Sequence, residues 1–248
     1  MAAKIIAVAG KGGVGKTSLS AALLRLLTQR HPDARILAID ADPAVGLSAA
    51  LGVTVTRTLD DIRRELVGAA GTGAEELASE ARFRLFESMA ETRDFAFLAI
   101  GRPETTGCYC AVNGCLREVI SLLAGEFDYV VIDGEAGIEQ INRRVMEKVT
   151  HLLLVTDQSR KGCRVAETIK RVADELVLYE RCGVVVNRAT RPELAAPERI
   201  ADAPVLTVIG TDAGQLRNDR EGRSVFDLPE DAPVMQGART VLTAFGLE

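Results

Sequence analysis

The sequence predicts an α/β fold: a single domain on a mostly parallel, twisted sheet of about seven or eight strands, with helices on both faces. Two observations carry this. Short runs rich in Val and Ile alternate along the chain with stretches of helical periodicity. The 248 residues suit one large α/β domain or two small ones, and no repeat, low-complexity tract or second composition regime divides them.

The strands are expected at residues 5–9, 36–39, 95–100, 129–132, 152–155, 184–186 and 205–209. A helix is expected over 16–29, with Leu19, Leu23, Leu26 and Leu27 along one side. Further helices are expected at 116–123, 138–147 and 165–178, and near the C-terminus. Residues 68–74 read as a flexible spacer between helical stretches. The domain 1–248 is therefore expected to carry a surface insertion around 68–92 and a cysteine-bearing interface loop at 101–115.

A hydrophobic content of 47% permits a substantial core, and 26% charged residues is ordinary for a soluble globule. The net charge of -5 gives no global attraction to nucleic acid or to an anionic membrane. Neither is expected as a partner. No apolar run approaches the roughly 18 residues of a membrane-spanning helix. Met1-Ala2-Ala3-Lys4 runs directly into an apolar strand and leaves no room for a secretion signal, so a cytoplasmic location is expected. The five cysteines should then be reduced, and available for metal or redox chemistry.

Gly10-Lys11-Gly12-Gly13-Val14-Gly15-Lys16-Thr17 satisfies the P-loop pattern, after a strand and at the head of a helix. Its glycines let successive amides face a β-phosphate, Lys16 reaches the β- and γ-phosphates, and Thr17 suits Mg²⁺. Gly12, Gly13, Val14, Gly15, Lys16, Thr17 and Ser18 are the expected nucleotide contacts. Tyr129-Val130-Val131-Ile132-Asp133 is an apolar strand ending in a carboxylate, so Asp133 should hold Mg²⁺, through water. Gly134-Glu135-Ala136-Gly137 suits a loop that moves when the γ-phosphate leaves. Asp40-Ala41-Asp42-Pro43 puts two acids after the second strand, where Asp40 has a competing reading as a helix cap.

Lys11 cannot comfortably share its own chain's phosphates with Lys16. The stretch 11–17 resembles the deviant Walker A group, which includes the nitrogenase iron protein, ArsA, MinD and ParA relatives. That resemblance implies that Lys11 crosses a homodimer interface to the partner's nucleotide. It also implies that Asp42 positions or activates the attacking water and that Asp40 supports the Mg²⁺ shell or the switch. Asn187, which ends the strand Val184-Val185-Val186, stands where such relatives read the adenine edge; the competing reading is a strand-ending turn. Gly210-Thr211-Asp212 departs from the proline those relatives carry after the next strand. ATP and Mg²⁺ are the implied cofactors.

Cys108 and Cys110 are one residue apart, a spacing that strains a disulfide. Together they supply two of the four thiolates that a closed tetrahedral metal site wants, and a two-fold axis doubles the count. Gly107-Cys108-Tyr109-Cys110 and the stretch 133–139 resemble the CooC family, ATPases that mature nickel-containing carbon monoxide dehydrogenase. The resemblance implies Ni²⁺ or Zn²⁺ at Cys108 and Cys110 across the dimer. The implied client is apo carbon monoxide dehydrogenase or a related nickel enzyme. Cys115 departs from the two-cysteine pattern. Its competing readings are a small buried residue, or a third thiolate suited to a [4Fe-4S] cluster in an electron-transfer ATPase like the nitrogenase iron protein. Cys163 and Cys182 have no cysteine near them in sequence and are expected in or near the core. Residues 234–248 carry one basic side chain, Arg239, which disfavours a MinD-type membrane tail.

Overall fold

The computed structural model describes residues 2–42, 44–68, 74–101, 121, 124–136, 148–192 and 197–248. Its elements in chain order are β1 (Lys4–Gly10), α1 (Lys16–Arg30), β2 (Ile36–Asp40), α2 (Gly46–Leu51), α3 (Leu59–Gly68), α4 (Ala74–Ser88), β3 (Ala90–Glu91) and β4 (Ala96–Ala99). There follow β5 (Tyr129–Ala136), β6 (His151–Thr156), α5 (Arg160–Leu176), β7 (Arg181–Ala189), β8 (Arg199–Ile200), β9 (Ala203–Gly210), α6 (Ala213–Arg220), a 3₁₀ turn (Val225–Asp227) and α7 (Pro233–Phe245).

The strands form one nine-stranded sheet in the order β3-β4-β2-β5-β1-β6-β7-β9-β8. All neighbours run parallel except the two edges, where β3 pairs antiparallel with β4 and β8 with β9. Every strand expected from the sequence is present. The two added strands hold two residues each, too few to leave a periodic signal. They end the sheet with short edges, which limits unwanted pairing with other chains.

Side chains of a strand alternate between faces, and β1 shows the consequence. Ile6 and Val8 belong to the core beneath α1, α2 and α7, while Ala7 and Ala9 belong to the core beneath α3, α4 and α5. Both faces of the central strands are covered, so they read as continuous apolar runs. α1 is buried from Leu19 to Thr28, because it lies between the sheet and α7. Arg25 is tied down there by the carbonyls of Val225 and Leu228, at 2.9 and 2.7 Å. Within the stretch expected as an insertion, α4 contributes Ala81 and Leu85 to the core.

α5 begins five residues before the expected 165, at Arg160. Ser159 explains the early start: its hydroxyl accepts from the Gly162 amide at 2.9 Å and caps the helix. The helices expected at 116–123 and 138–147 fall on residues that, but for Ser121, lie outside the described ones. Of the stretch 134–137 expected as a moving loop, Gly134, Glu135 and Ala136 instead continue β5; Gly137 and the cysteines Cys108, Cys110 and Cys115 lie outside the described residues.

Candidate functional site

β1 occupies the centre of the sheet between β5 and β6, so the loop leaving its C-terminal end sits at a crevice where ligands collect in open α/β sheets. Gly10 closes the strand. A Cβ there would collide with the Val155 carbonyl of β6, so no larger residue fits. Gly13 and Gly15 take φ values of 78° and 90°, a left-handed region that glycine adopts without cost, and this curls the loop before α1. The curl brings the loop to the amino end of α1, a favourable place for an anion.

Lys16 is buried and its ammonium donates to the Lys11 carbonyl at 3.2 Å, within the loop it would serve. Thr17 donates from its hydroxyl to Asp133 Oδ2 at 2.7 Å, and Ser20, one turn further along α1, donates to Oδ1 at 2.9 Å. Thr17 and Asp133, each expected to serve Mg²⁺, are thus in direct contact with one another. Ser20 belongs to this contact as well, which the sequence alone did not indicate; its signal is its place three residues after Thr17 on the same helix face.

Asp40 and Asp133 are partners in the register of β2 and β5. Both are buried. Burial, reinforced by the charge of Asp133, pushes the Asp40 carboxyl up to about 7. Burial likewise pushes Asp133 up to about 6, against the bonds from Thr17 and Ser20 that stabilise its ionised form. Asp40 accepts backbone bonds from Asp42 at 3.1 Å and from Leu47 at 2.8 Å. Leu47 is the second residue of α2, so Asp40 ties the first turn of that helix to the segment carrying Asp42, while the N-cap position itself is held by Val45. Asp42 is half-buried, and its carboxylate accepts from the Ala44 amide at 2.9 Å. Val45, two residues after Pro43, is held at φ 50°, a costly conformation for a β-branched residue.

The oxygen donors fit Mg²⁺: a hydroxyl and carboxylates are the hard ligands it prefers, and two buried carboxylates whose ionised forms burial disfavours are relieved by a cation nearby. Among the described residues no three His, Cys, Asp or Glu side chains converge on one metal position.

Lys11, at the outer edge of the loop, has its ammonium 3.1 Å from Asp157 Oδ2. Asp157 follows β6, and it also accepts from the hydroxyl and amide of Ser159. Burial raises its carboxyl, but the Ser159 bonds and Lys11 more than offset this and leave it below the usual aspartate value. Asp157 escaped the sequence reading. A carboxylate at the end of a strand was the available signal, but its relation to Lys11 depends on β6 lying beside β1. Asn187 is buried at the end of β7, and its amide donates to the Val14 carbonyl at 2.9 Å. Cys163 and Cys182 are half-buried against the core, as expected. Burial raises both thiols, Cys182 to about 11, so neither is a ready thiolate.

A nucleotide loop, a buried carboxylate on the neighbouring β5 bonded to its threonine, and a mostly parallel sheet define a P-loop ATPase. The chain belongs to the CobQ/CobB/MinD/ParA nucleotide binding domain family, whose model matches residues 5–225. It is 41% identical over 242 residues to an uncharacterized ATP-binding protein of Methanocaldococcus jannaschii, with 93% of each chain covered. It is 28% identical over 237 residues to the carbon monoxide dehydrogenase accessory protein CooC of Rhodospirillum rubrum, covering 90% of this chain and 89% of that one. In fold it matches the septum site-determining protein MinD of Pyrococcus horikoshii complexed with Mg-ADP, with TM-score 0.69 and 23% identity, covering 96% and 94% of the two chains. Among the described residues no helix is long and apolar enough to cross a membrane.

Proposed function

We propose that this ATPase is a metallochaperone: a homodimer, closed by ATP, that carries nickel to carbon monoxide dehydrogenase or a related nickel enzyme in the cytoplasm. The observation that carries the reading is the Cys108-Tyr109-Cys110 pair in a chain 28% identical to CooC over 90% of its length. The carried Ni²⁺ is cargo, held by Cys108 and Cys110 of both subunits.

In the nucleotide site, the amides of Gly12, Gly13, Val14 and Gly15, together with those of Lys16, Thr17 and Ser18, cradle the phosphates. Lys16 exchanges the Lys11 carbonyl for phosphate oxygen. Thr17 and Asp133 would hold Mg²⁺, which when bound neutralises charge developing on the phosphate oxygens. Asp42 orients the attacking water, and Asp40 holds the backbone that presents it. Lys11 leaves Asp157 for the nucleotide of the partner subunit and adds positive charge to the transition state. An exposed ion pair contributes about 0–1 kcal/mol, and Lys11 and Asp157 are each about a third exposed (32% and 29%), so the exchange is inexpensive.

The test is nickel delivery. Nickel-loaded protein mixed with apo carbon monoxide dehydrogenase should restore activity with MgATP, and should do so poorly with MgADP or with the Lys11→Gln protein. Activation independent of nucleotide would overturn the reading. Two or more irons per purified dimer would replace it with the electron-transfer alternative that Cys115 allows.

A further inference from the structure

Several helical hydroxyls in this chain turn back onto their own helix. Thr28 donates to the Arg25 carbonyl at 2.8 Å, Thr168 to Arg164 at 3.0 Å and Thr240 to Gln236 at 3.1 Å. Such a bond satisfies the hydroxyl proton without leaving the helix. Ser20 does otherwise. It is buried on α1, as are its neighbours Leu19, Ala21, Leu23 and Leu24, and it donates off the helix to Asp133 of β5 at 2.9 Å. The carbonyls one turn back on α1 can accept a second bond, of the kind that Thr28 makes on the same helix. The burial of Ser20 therefore does not by itself require Asp133 as its partner.

The effect of the bond lies at the carboxylate. Each oxygen of the buried Asp133 takes one hydroxyl of α1. Thr17, beside Lys16 at the head of the helix, donates to Oδ2 at 2.7 Å, and Ser20, one turn further along, donates to Oδ1. Positions 17 and 20 share a helix face, so the two hydroxyls form a fork against one carboxylate. A carboxylate held at one oxygen turns readily, because its last torsion is broad. Held at both, it keeps one plane. Asp40, its register partner on β2, gives its two oxygens to the amides of Asp42 and Leu47. Asp40 is thus committed to the segment after β2, and Asp133 to α1.

We infer that Ser20 is a positioning residue for Mg²⁺: by holding Oδ1 it keeps the Asp133 carboxylate turned so that Oδ2, beside Thr17, is the oxygen presented to the cation. Groups that orient a metal's ligands without touching the metal contribute to its affinity. The inference rests on the Mg²⁺ role proposed above for Thr17 and Asp133, and it adds a side chain outside the set that cradles the phosphates. Loss of Ser20 should therefore be felt by the metal and not by the nucleotide alone.

The experiment separates metal from nucleotide. ADP is titrated by calorimetry into wild type, Ser20→Ala and Thr28→Val, once with EDTA and once with excess Mg²⁺, at a temperature where circular dichroism shows each protein folded. The ratio of the two affinities is the magnesium factor. Ser20→Ala should bind ADP in EDTA within about twofold of wild type. Its magnesium factor should fall about 10-fold, the lower end of what outer-shell partners of a metal contribute, or to unity where the wild-type factor is smaller. Thr28→Val removes the other buried hydroxyl of α1; it should lower the melting temperature and leave the magnesium factor in place. With Mn²⁺ in place of Mg²⁺, the electron paramagnetic resonance line shape of the ADP complex should change in Ser20→Ala and not in Thr28→Val. A Ser20→Ala protein that loses melting temperature but keeps its magnesium factor would overturn the inference and leave Ser20 a structural residue. Equal loss of ADP affinity with and without Mg²⁺ would overturn it by moving the role to the phosphate loop. Wild-type protein whose ADP binding ignores Mg²⁺ would instead remove the proposed metal site, and the inference with it. Should Ser20→Ala not fold, Ser20→Cys, whose thiol is a weak donor, takes its place with the same expectation.

Discussion

Lys11 Nζ stands 3.1 Å from Asp157 Oδ2, which ties the outer lysine of the phosphate loop to the end of the neighbouring strand in its own chain. In the proposed dimer, closure by nucleotide would exchange the partner of Lys11, from a carboxylate in its own chain to a phosphate in the other.

Lys11→Gln is therefore expected to keep ATP affinity within about threefold while losing ATP-promoted dimerisation, since the contact it removes exists only in the closed dimer. Asp157→Asn should act in the opposite direction and modestly, because the pair it breaks is partly exposed and contributes about 0–1 kcal/mol. The ATP-dependent dimer constant should tighten by no more than about fivefold. Light scattering with ATP and Mg²⁺ measures both. A Lys11→Gln protein that dimerises and turns over normally would make Lys11 an ordinary surface residue.

Lys16→Ala and Asp42→Asn should each abolish hydrolysis, but they should differ in binding. In the proposed mechanism Lys16 contacts phosphate in the ground state, so its loss should weaken ATP binding severely. Asp42 is assigned there to the attacking water, so Asp42→Asn should bind ATP almost normally and accumulate in the ATP-bound form. Phosphate release and nucleotide titration separate the two. Normal turnover by Asp42→Asn would move the hydrolytic role elsewhere on the segment.

Much of this site was legible in the sequence, because a phosphate loop is specified locally. Gly13, Gly15, Lys16 and Thr17 act within a few residues of one another, and apolar runs such as Val130-Val131-Ile132 announce central strands whatever packs on them. What stayed hidden depends on strand neighbours. Asp157 is only a strand-end acid until β6 is placed beside β1. Ser20 reads as a small helix residue until β5 brings Asp133 against it. Asn187 only follows an apolar run until β7 is placed two strands from β1, where its amide meets the Val14 carbonyl. The start of α5 was obscured by Arg160, Lys161 and Arg164, cations that oppose the helix dipole, and the Ser159 cap offsets them.

Acid should act on the metal-binding side of the site. Asp40 is raised to about 7 and Asp133 to about 6, both above the 3.8 of an ordinary aspartate. The folded chain thus holds more protons than the unfolded one between those values, and as pH rises through the window it loses stability. MgATP acts on the ionised carboxylates and should restore that stability. Its stabilising effect on the melting temperature should be larger at about pH 8 than at about pH 5.5, and the apparent Mg²⁺ affinity should fall as pH drops from about 7 to 6. Asp133→Asn, which keeps the nucleotide's own titration, should flatten the dependence. An unchanged pH profile in that variant would remove Asp133 from the effect and leave it to Asp40 or the nucleotide.

The central claim, a nickel-carrying dimer, rests on Cys108 and Cys110, and the most direct measurement is metal per dimer in protein purified anaerobically under reducing conditions. Four thiolates, two from each chain, complete one tetrahedral site, so wild type should hold one tightly bound Ni²⁺ or Zn²⁺ per dimer. The double variant Cys108→Ser, Cys110→Ser should hold none, yet should bind ATP as wild type does. Cys115→Ser should retain the metal, because the third cysteine exceeds the ligand count. Loss of metal in Cys115→Ser, together with two or more irons per wild-type dimer and absorbance near 400 nm, would contradict the account and identify an iron–sulfur protein instead.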